Sequence, residues 1–247
     1  MDRFSGKTAV VTGGNSGIGL AIANRLRQEG AEVVISGRNR VSLDAAAREL
    51  GVRAIEADVS RMDDLDRFYS TLADTVGKID LLYANAGIFE AKPLAEVTEA
   101  FFDRQFDINV KGLFFTVQKA LPHLRDGAVV VLTSSMIHDA GWPDCSVYAA
   151  GKAAVRSMAR SFSADLLARR IRVNALSPGV TATPILDWPG MSESERAAGL
   201  EALRARIPVG RLASPDEIAE AALFLGSAAS AYMVGGELRL DGGTTEL

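Results

Sequence analysis

Several things are scarce in this chain. Cysteine occurs once in 247 residues, at Cys145, so no disulfide can close within it. That cysteine and two histidines argue against a zinc site built on them, and no metal is assigned. Oxygen-ligated magnesium or calcium sites are not addressed by this count. No apolar run approaches the roughly 18 residues that span a bilayer, so no membrane partner is expected. Residues 1–5 lack the basic-then-apolar layout of a secretory leader. Positive charge is not in excess: a net charge of −4 argues against nucleic-acid binding as the main function. These absences together lead to the expectation of a cytoplasmic protein.

What is present is ordinary for a globular chain. Hydrophobic residues make up 48% and charged residues 23%. The length suits one large α/β domain spanning residues 1–247. No composition shift, repeat or low-complexity tract divides it.

Apolar runs alternate with helical patterns. Strands are predicted at 7–12, 32–36, 52–57, 79–84, 128–133, 171–176 and 237–240. Unbroken runs such as Val129-Val130-Val131-Leu132 suit parallel strands buried on both faces. Helices are predicted at 17–29, 41–50, from Ser60 to 76, at 97–121, at 146–168 and from Ser214. Ser60 with Asp63, and Ser192 with Glu195, have capping-pair spacing. Strand–helix alternation predicts a doubly wound parallel sheet of Rossmann type, with helices on both faces. Ligands in such folds bind at the carboxyl ends of the strands.

The stretch Thr12-Gly13-Gly14-Asn15-Ser16-Gly17-Ile18-Gly19 lies between the first strand and the first helix. Glycines admit close backbone approach, and a helix N-terminus offers free N–H groups to a phosphate. A lone glycine motif is weak, but its strand–turn–helix setting points to a dinucleotide site.

Tyr148 and Lys152 stand four apart in a predicted helix, hence on one face. A free tyrosine is a poor base at neutral pH, and a neighbouring ammonium favours its phenolate. Ser135 ends the fifth strand, thirteen residues before Tyr148, where its hydroxyl could bond a substrate oxygen. Tyr-x-x-x-Lys alone is also a common surface pair. His138, three residues after Ser135, is open to two placements, at substrate or in a solvated loop. Ser134 is read as support for its loop.

Taken together, Thr12-Gly13-x-x-x-Gly17-x-Gly19, Asn85-Ala86-Gly87, Asn109, Ser135, Tyr148-x-x-x-Lys152 and Pro178-Gly179 resemble the short-chain dehydrogenase/reductase family in order and spacing. The resemblance covers essentially the whole chain. It implies a hydride transfer between NADP(H) and a carbonyl or secondary alcohol, as in a ketoreductase. It implies Tyr148 as general acid/base, Lys152 on the nicotinamide ribose and lowering the phenol's pKa, Ser135 on the carbonyl, and Asn109 in a proton relay. Without the other motifs, Asn109 would be read as capping or kinking its helix. Asp58 and Val59 match positions on the adenine, and Asn85, Ala86 and Gly87 the adenosine ribose. Thr183 matches the nicotinamide carboxamide, following Pro178, Gly179, Val180 and Thr181. The alternatives are an NAD-dependent alcohol or sugar dehydrogenase, a non-catalytic nucleotide sensor, and an epimerase or dehydratase. The intact Ser-Tyr-Lys set argues against the sensor. The short tail after Pro178-Gly179 argues against the epimerase.

Cofactor choice is read at the end of the second strand. Gly37 stands where an acid would select NAD(H), and Arg38 follows, able to pair with a 2′-phosphate. Ser36 and Asn39 could add hydrogen bonds. NADP(H) is therefore preferred, with NAD(H) possible. Residues 181–208 are expected to fold over the site as a lid, with Ile185, Leu186, Trp188 and Met191 as apolar wall. Met136, Ile137, Trp142 and Cys145 would line the opposite side. No arginine cluster lies in 178–188, which favours a small apolar ketone or aldehyde over a phosphorylated or carrier-linked one; Arg204 and Arg206 come later. Leu113, Phe114, Val117, Ala149, Ala153, Ala154, Met158 and Phe162 on the two long helices suggest an apolar surplus. The resemblance implies that it packs in a homotetramer.

Overall fold

A computed structural model describes residues 2–187 and 190–247. Seven parallel strands form one sheet in the order β3-β2-β1-β4-β5-β6-β7. They are β1 (Thr8–Thr12), β2 (Glu32–Gly37), β3 (Arg53–Glu56), β4 (Ile79–Ala84), β5 (Leu124–Thr133), β6 (Arg172–Pro178) and β7 (Glu237–Leu240). The register explains the unbroken apolar runs. Val34, Val10, Leu82, Val130 and Val173 lie side by side across the sheet and share one core. Their neighbours Val33, Ala9, Leu81 and Val129 belong to the core on the other face. Alternate residues therefore meet different helices, and both parities must be apolar.

Helices α1 (Gly17–Gln28), α2 (Arg40–Leu50) and α8 (Pro215–Gly226) cover the face of Val33, Ala9, Leu81 and Val129. Helices α3 (Met62–Thr75), α5 (Leu113–Ala120) and α6 (Ser146–Leu166) cover the other. Helices α4 (Glu99–Phe106) and α7 (Glu193–Ala205) complete the set. Two caps form as their sequences predict: Ser192 with Glu195 on α7, and Ser214 with Glu217 on α8, are complete capping boxes.

Three expectations change. The helix of 97–121 is interrupted by a π turn, Asp107–Gly112, so its 3.6-residue period does not run through. Leu113 and Val117 consequently face the chain's own core and add nothing to an outer apolar surface. Phe114 remains exposed beside Phe162, with ring centroids 5.3 Å apart. Ser60 does not cap α3: its hydroxyl donates to Asp58 Oδ1 at 2.7 Å, and Arg61 holds the cap position. The sixth strand runs on to Pro178, because Ser177 and Pro178 still pair with Arg239 and Leu240. Among the described residues, no helix is long and apolar enough to cross a membrane.

Candidate active site

The strand order puts the ends of β1, β2 and β4 beside one another, with β5 and β6 next to them. A cavity of about 750 Å³ opens along those carboxyl ends. Among the described residues it is lined from one end by Asn15, Ser16, Gly17, Arg38, Asp58 and Val59, and from the other by Ser135, Tyr148, Lys152 and Thr183.

The loop from β1 to α1 is shaped by close approach. A Cβ on Gly19 would lie 2.2 Å from the carbonyl oxygen of Gly13, so α1 can start only where it does if residue 19 has no side chain. Gly13 itself has φ +65°. Ser16 precedes α1 in extended conformation, and its side chain makes no cap hydrogen bond. The first-turn N–H groups of α1 therefore lack the side-chain acceptor that Asn39 gives α2 by accepting from Ser42 N at 3.0 Å. That uncapped turn borders the cavity, where an anion would meet it.

The segment after β4 is held by the side chains of Asn85 and Asn109. The Asn85 amide donates to Thr12 O at 3.2 Å and accepts from Thr133 Oγ1 at 3.2 Å. It laces the ends of β1, β4 and β5 together. Asn109, in the π turn, is buried; it accepts from Ile88 N at 2.9 Å and donates to Ile88 O at 3.0 Å. Both ends of its amide are spent on one backbone residue. Its side chain does not line the cavity.

Tyr148 and Lys152 both reach the cavity from α6. The Lys152 ammonium lies 5.6 Å from the Tyr148 ring centre and donates to Thr133 O at 2.8 Å. Ser134 Oγ donates to Lys152 O at 2.9 Å, so it supports the loop as expected. Ser135 caps a short 3₁₀ turn, Met136–Asp139, and its Oγ accepts from Ile137 N at 3.3 Å. Burial pushes the Tyr148 phenol up to about 12, while the Ser135 hydroxyl pulls the other way. Burial also lowers the Lys152 ammonium to about 8. In the chain by itself, desolvation dominates both groups, and the phenol moves opposite to the lowered value that the Tyr–Lys spacing suggests.

The sequence missed Phe89, whose ring meets Tyr148 edge-on at 5.0 Å, and Ile88 and Leu203, which also line the cavity. Nothing local in the sequence marks them; strand order and the returning α7 bring them in. Met136, Ile137, Cys145, Trp142, Ile185 and Leu186 line it as expected. Met191 does not: it is 48% exposed and outside the lining. Trp188 lies outside the described residues. His138 takes neither expected place. Its side chain is buried, and Nε2 lies 2.6 Å from Glu237 Oε1, whose other oxygen accepts from Arg156. The turn Asp241-Gly242-Gly243 is structural as read, since Asp241 Oδ1 accepts from Gly243 N at 2.9 Å.

Comparison with known proteins agrees with this geometry. Residues 13–245 match the family model described as enoyl-(acyl carrier protein) reductase. The chain is 40% identical over 251 residues to oxidoreductase asL5 of Sarocladium schorii, covering 100% of this chain and 99% of that one. It is 38% identical to cis-4-hydroxycyclohexanecarboxylate dehydrogenase of Sinomonas cyclohexanicum, covering 99% and 98%. A solved short-chain dehydrogenase/reductase from Brucella melitensis, titled a glucose/ribitol dehydrogenase, superposes with TM-score 0.91 at 34% identity, covering 98% of each chain. The chain belongs to the short-chain dehydrogenase/reductase family, oxidoreductases that use NAD(P)(H) on hydroxyl and carbonyl substrates.

Proposed function

We propose that this chain is an NADP(H)-preferring carbonyl reductase in which Tyr148 is the proton donor. The observation that carries the reading is Tyr148 and Lys152, one turn apart, facing the same cavity as the uncapped N-terminus of α1. The glycine cradle at 13, 17 and 19 fits a dinucleotide pyrophosphate, since side chains there would collide with the chain's own backbone or with Thr183. Ser16, Gly17 and Ile18 would hold the phosphates, Asp58 and Val59 the adenine, the backbone of 85–87 the ribose, and Lys152 and Thr183 the nicotinamide end. When bound, the cofactor supplies or accepts the hydride.

The chain's own residues handle the proton. A phenol held at about 12 stays protonated at neutral pH, which suits donation to a carbonyl oxygen. Ser135 Oγ, at the tip of β5, hydrogen-bonds that same oxygen. Asn109 acts by holding Ile88 and the segment before it. Apolar walls from Met136, Ile137, Ile185 and Leu186 exclude water and favour a ketone or aldehyde with a hydrophobic substituent. Residues 181–208 act as a lid, anchored where Thr181 pairs with Ala213. The faces of α4, α5 and α6 that carry Phe102, Phe114 and Ala153 pack in a homotetramer; light scattering tests this, and an active monomer overturns it.

The deciding experiment is Tyr148→Phe. It keeps the ring against Phe89 and removes the proton. Reduction should fall by about 10²- to 10⁴-fold while NADPH binding stays near wild type. Substantial activity in this variant would sink the mechanism.

A further inference from the structure

We infer that Arg206 is a substrate-recognition residue, and that the substrate carries a carboxylate at the end remote from its reacting carbon. This rests on the carbonyl-reductase reading and narrows it. Arg206 follows the last turn of α7 and lines the cavity on the β5–β6 side, away from Arg38. Its guanidinium carbon lies 4.1 Å from the centre of the Trp142 ring. Trp142 belongs to the loop that leads into α6 and Tyr148.

Three features set this arginine apart. The other arginines of the segment are used: Arg196 pairs with Asp187 at 3.0 Å, Arg204 with Glu201 at 3.2 Å and Arg211 with Glu217 at 2.7 Å. Among the described residues, Arg206 has neither a carboxylate within ion-pair distance nor a side-chain hydrogen bond. Asp144, next to Cys145, makes no ion pair with it.

Second, the indole limits how it can bind. With its guanidinium carbon 4.1 Å from the centre of the Trp142 ring, one side of the group is covered, while its N–H groups have no partner among the described residues. Those in-plane donors match the two oxygens of a carboxylate, which is planar and bidentate. A phosphate dianion usually recruits several cations, and among the described residues a single one stands here.

Third, the charges along the cavity do not balance. Among the described residues its cations are Arg38, Lys152 and Arg206 and its one acid is Asp58, at the Arg38 end, where one oxygen is already taken by Ser60. A dinucleotide held as proposed would have its phosphates at the N-terminus of α1, on the Arg38 side. Arg206 is exposed, has no acid within ion-pair distance among the described residues, and borders the apolar walls at the other end of the cavity. A small molecule with a carbonyl at one end, a hydrophobic body and a carboxylate at the other satisfies all three conditions. Residues 178–188 contain no arginine, and Arg206, later in the chain, lines the cavity.

The test uses a matched pair: 4-acetylbenzoate and its methyl ester. Wild type should prefer the acid in kcat/KM. Arg206→Met should reduce kcat/KM for the acid by about tenfold to a hundredfold and change the ester by less than about twofold. Arg206→Lys should recover part of the loss. In parallel, calorimetry on Tyr148→Phe with NADPH measures binding of both compounds without turnover. Acid binding that disappears in Tyr148→Phe/Arg206→Met supports the inference even if wild type turns over neither compound, an outcome that counts against the aryl-ketone reductase reading and leaves the role of Arg206 standing. Equal binding of acid and ester, or equal losses for both in Arg206→Met, overturns the role of Arg206.

Discussion

The side chain of Asn15 fills the space that any side chain at position 37 would need. A Cβ built on Gly37 would lie 2.4 Å from Asn15 Oδ1, and Asn15 is itself held there by donating to Ser42 Oγ at 2.9 Å. An acid at the end of β2 therefore fits only if the Asn15 side chain gives up its bond to Ser42 and turns away. Gly37→Asp alone should lower the melting temperature and activity with both cofactors. Gly37→Asp with Asn15→Gly should recover stability and shift kcat/KM toward NADH. A single Gly37→Asp variant that folds and switches cofactor without help shows that Asn15 does not guard the position.

Arg38 follows on the exposed rim of the same cavity. Charge-assisted bonds to a 2′-phosphate predict that Arg38→Ala weakens NADPH use by about tenfold to a hundredfold and barely alters NADH. Steady-state kinetics with both cofactors in both proteins checks this. A wild type that prefers NADH, or equal losses, removes the assignment. Asn39 is a weaker contributor than its position suggests, because its side-chain oxygen already caps α2.

Asn109→Ala leaves the N–H and C=O of Ile88 without partners. Urea unfolding should show a loss of about 1–3 kcal/mol. The KM for NADPH should rise too, because Ile88 continues the segment 85–87 that borders the cavity. Unchanged stability would contradict the clamp seen between these residues.

Lys152 couples stability to pH. Its folded pKa of about 8 lies below the ordinary 10.5. Between these values the unfolded chain holds a proton that the folded chain has shed, so this group's contribution to stability rises with pH from about 8 to 10.5. Below pH 8 the cost of the buried charge is present in full. Cys145 and Tyr148, pushed up by burial, oppose the rise above about pH 9 and 10. The difference between wild type and Lys152→Met isolates the lysine. Unfolding free energies measured from pH 7 to 10 should show wild type gaining on the variant by about 1–3 kcal/mol. A flat difference would mean that Lys152 keeps its proton throughout.

Local rules carried much of this protein. The strands and most helices follow from apolar runs, capping pairs and glycine stops, because those depend on residues close together in the chain. Ser192 with Glu195 and Ser214 with Glu217 cap helices where their spacing says they should. The glycine loop and the Tyr148–Lys152 pair are local too, since one strand–turn–helix and one helical turn contain them. What tertiary structure decided depends on groups far apart in sequence. Asn109 meets Ile88 across 21 residues, and its amide is spent on that backbone. His138 finds Glu237 across 99 residues, which removes it from both substrate and solvent. Trp142 and Arg206 meet only because α7 returns over the loop before α6. Burial of Tyr148 and Lys152 reverses the pKa direction that their spacing implies, since desolvation is set by everything packed around a group and not by its neighbour one turn away.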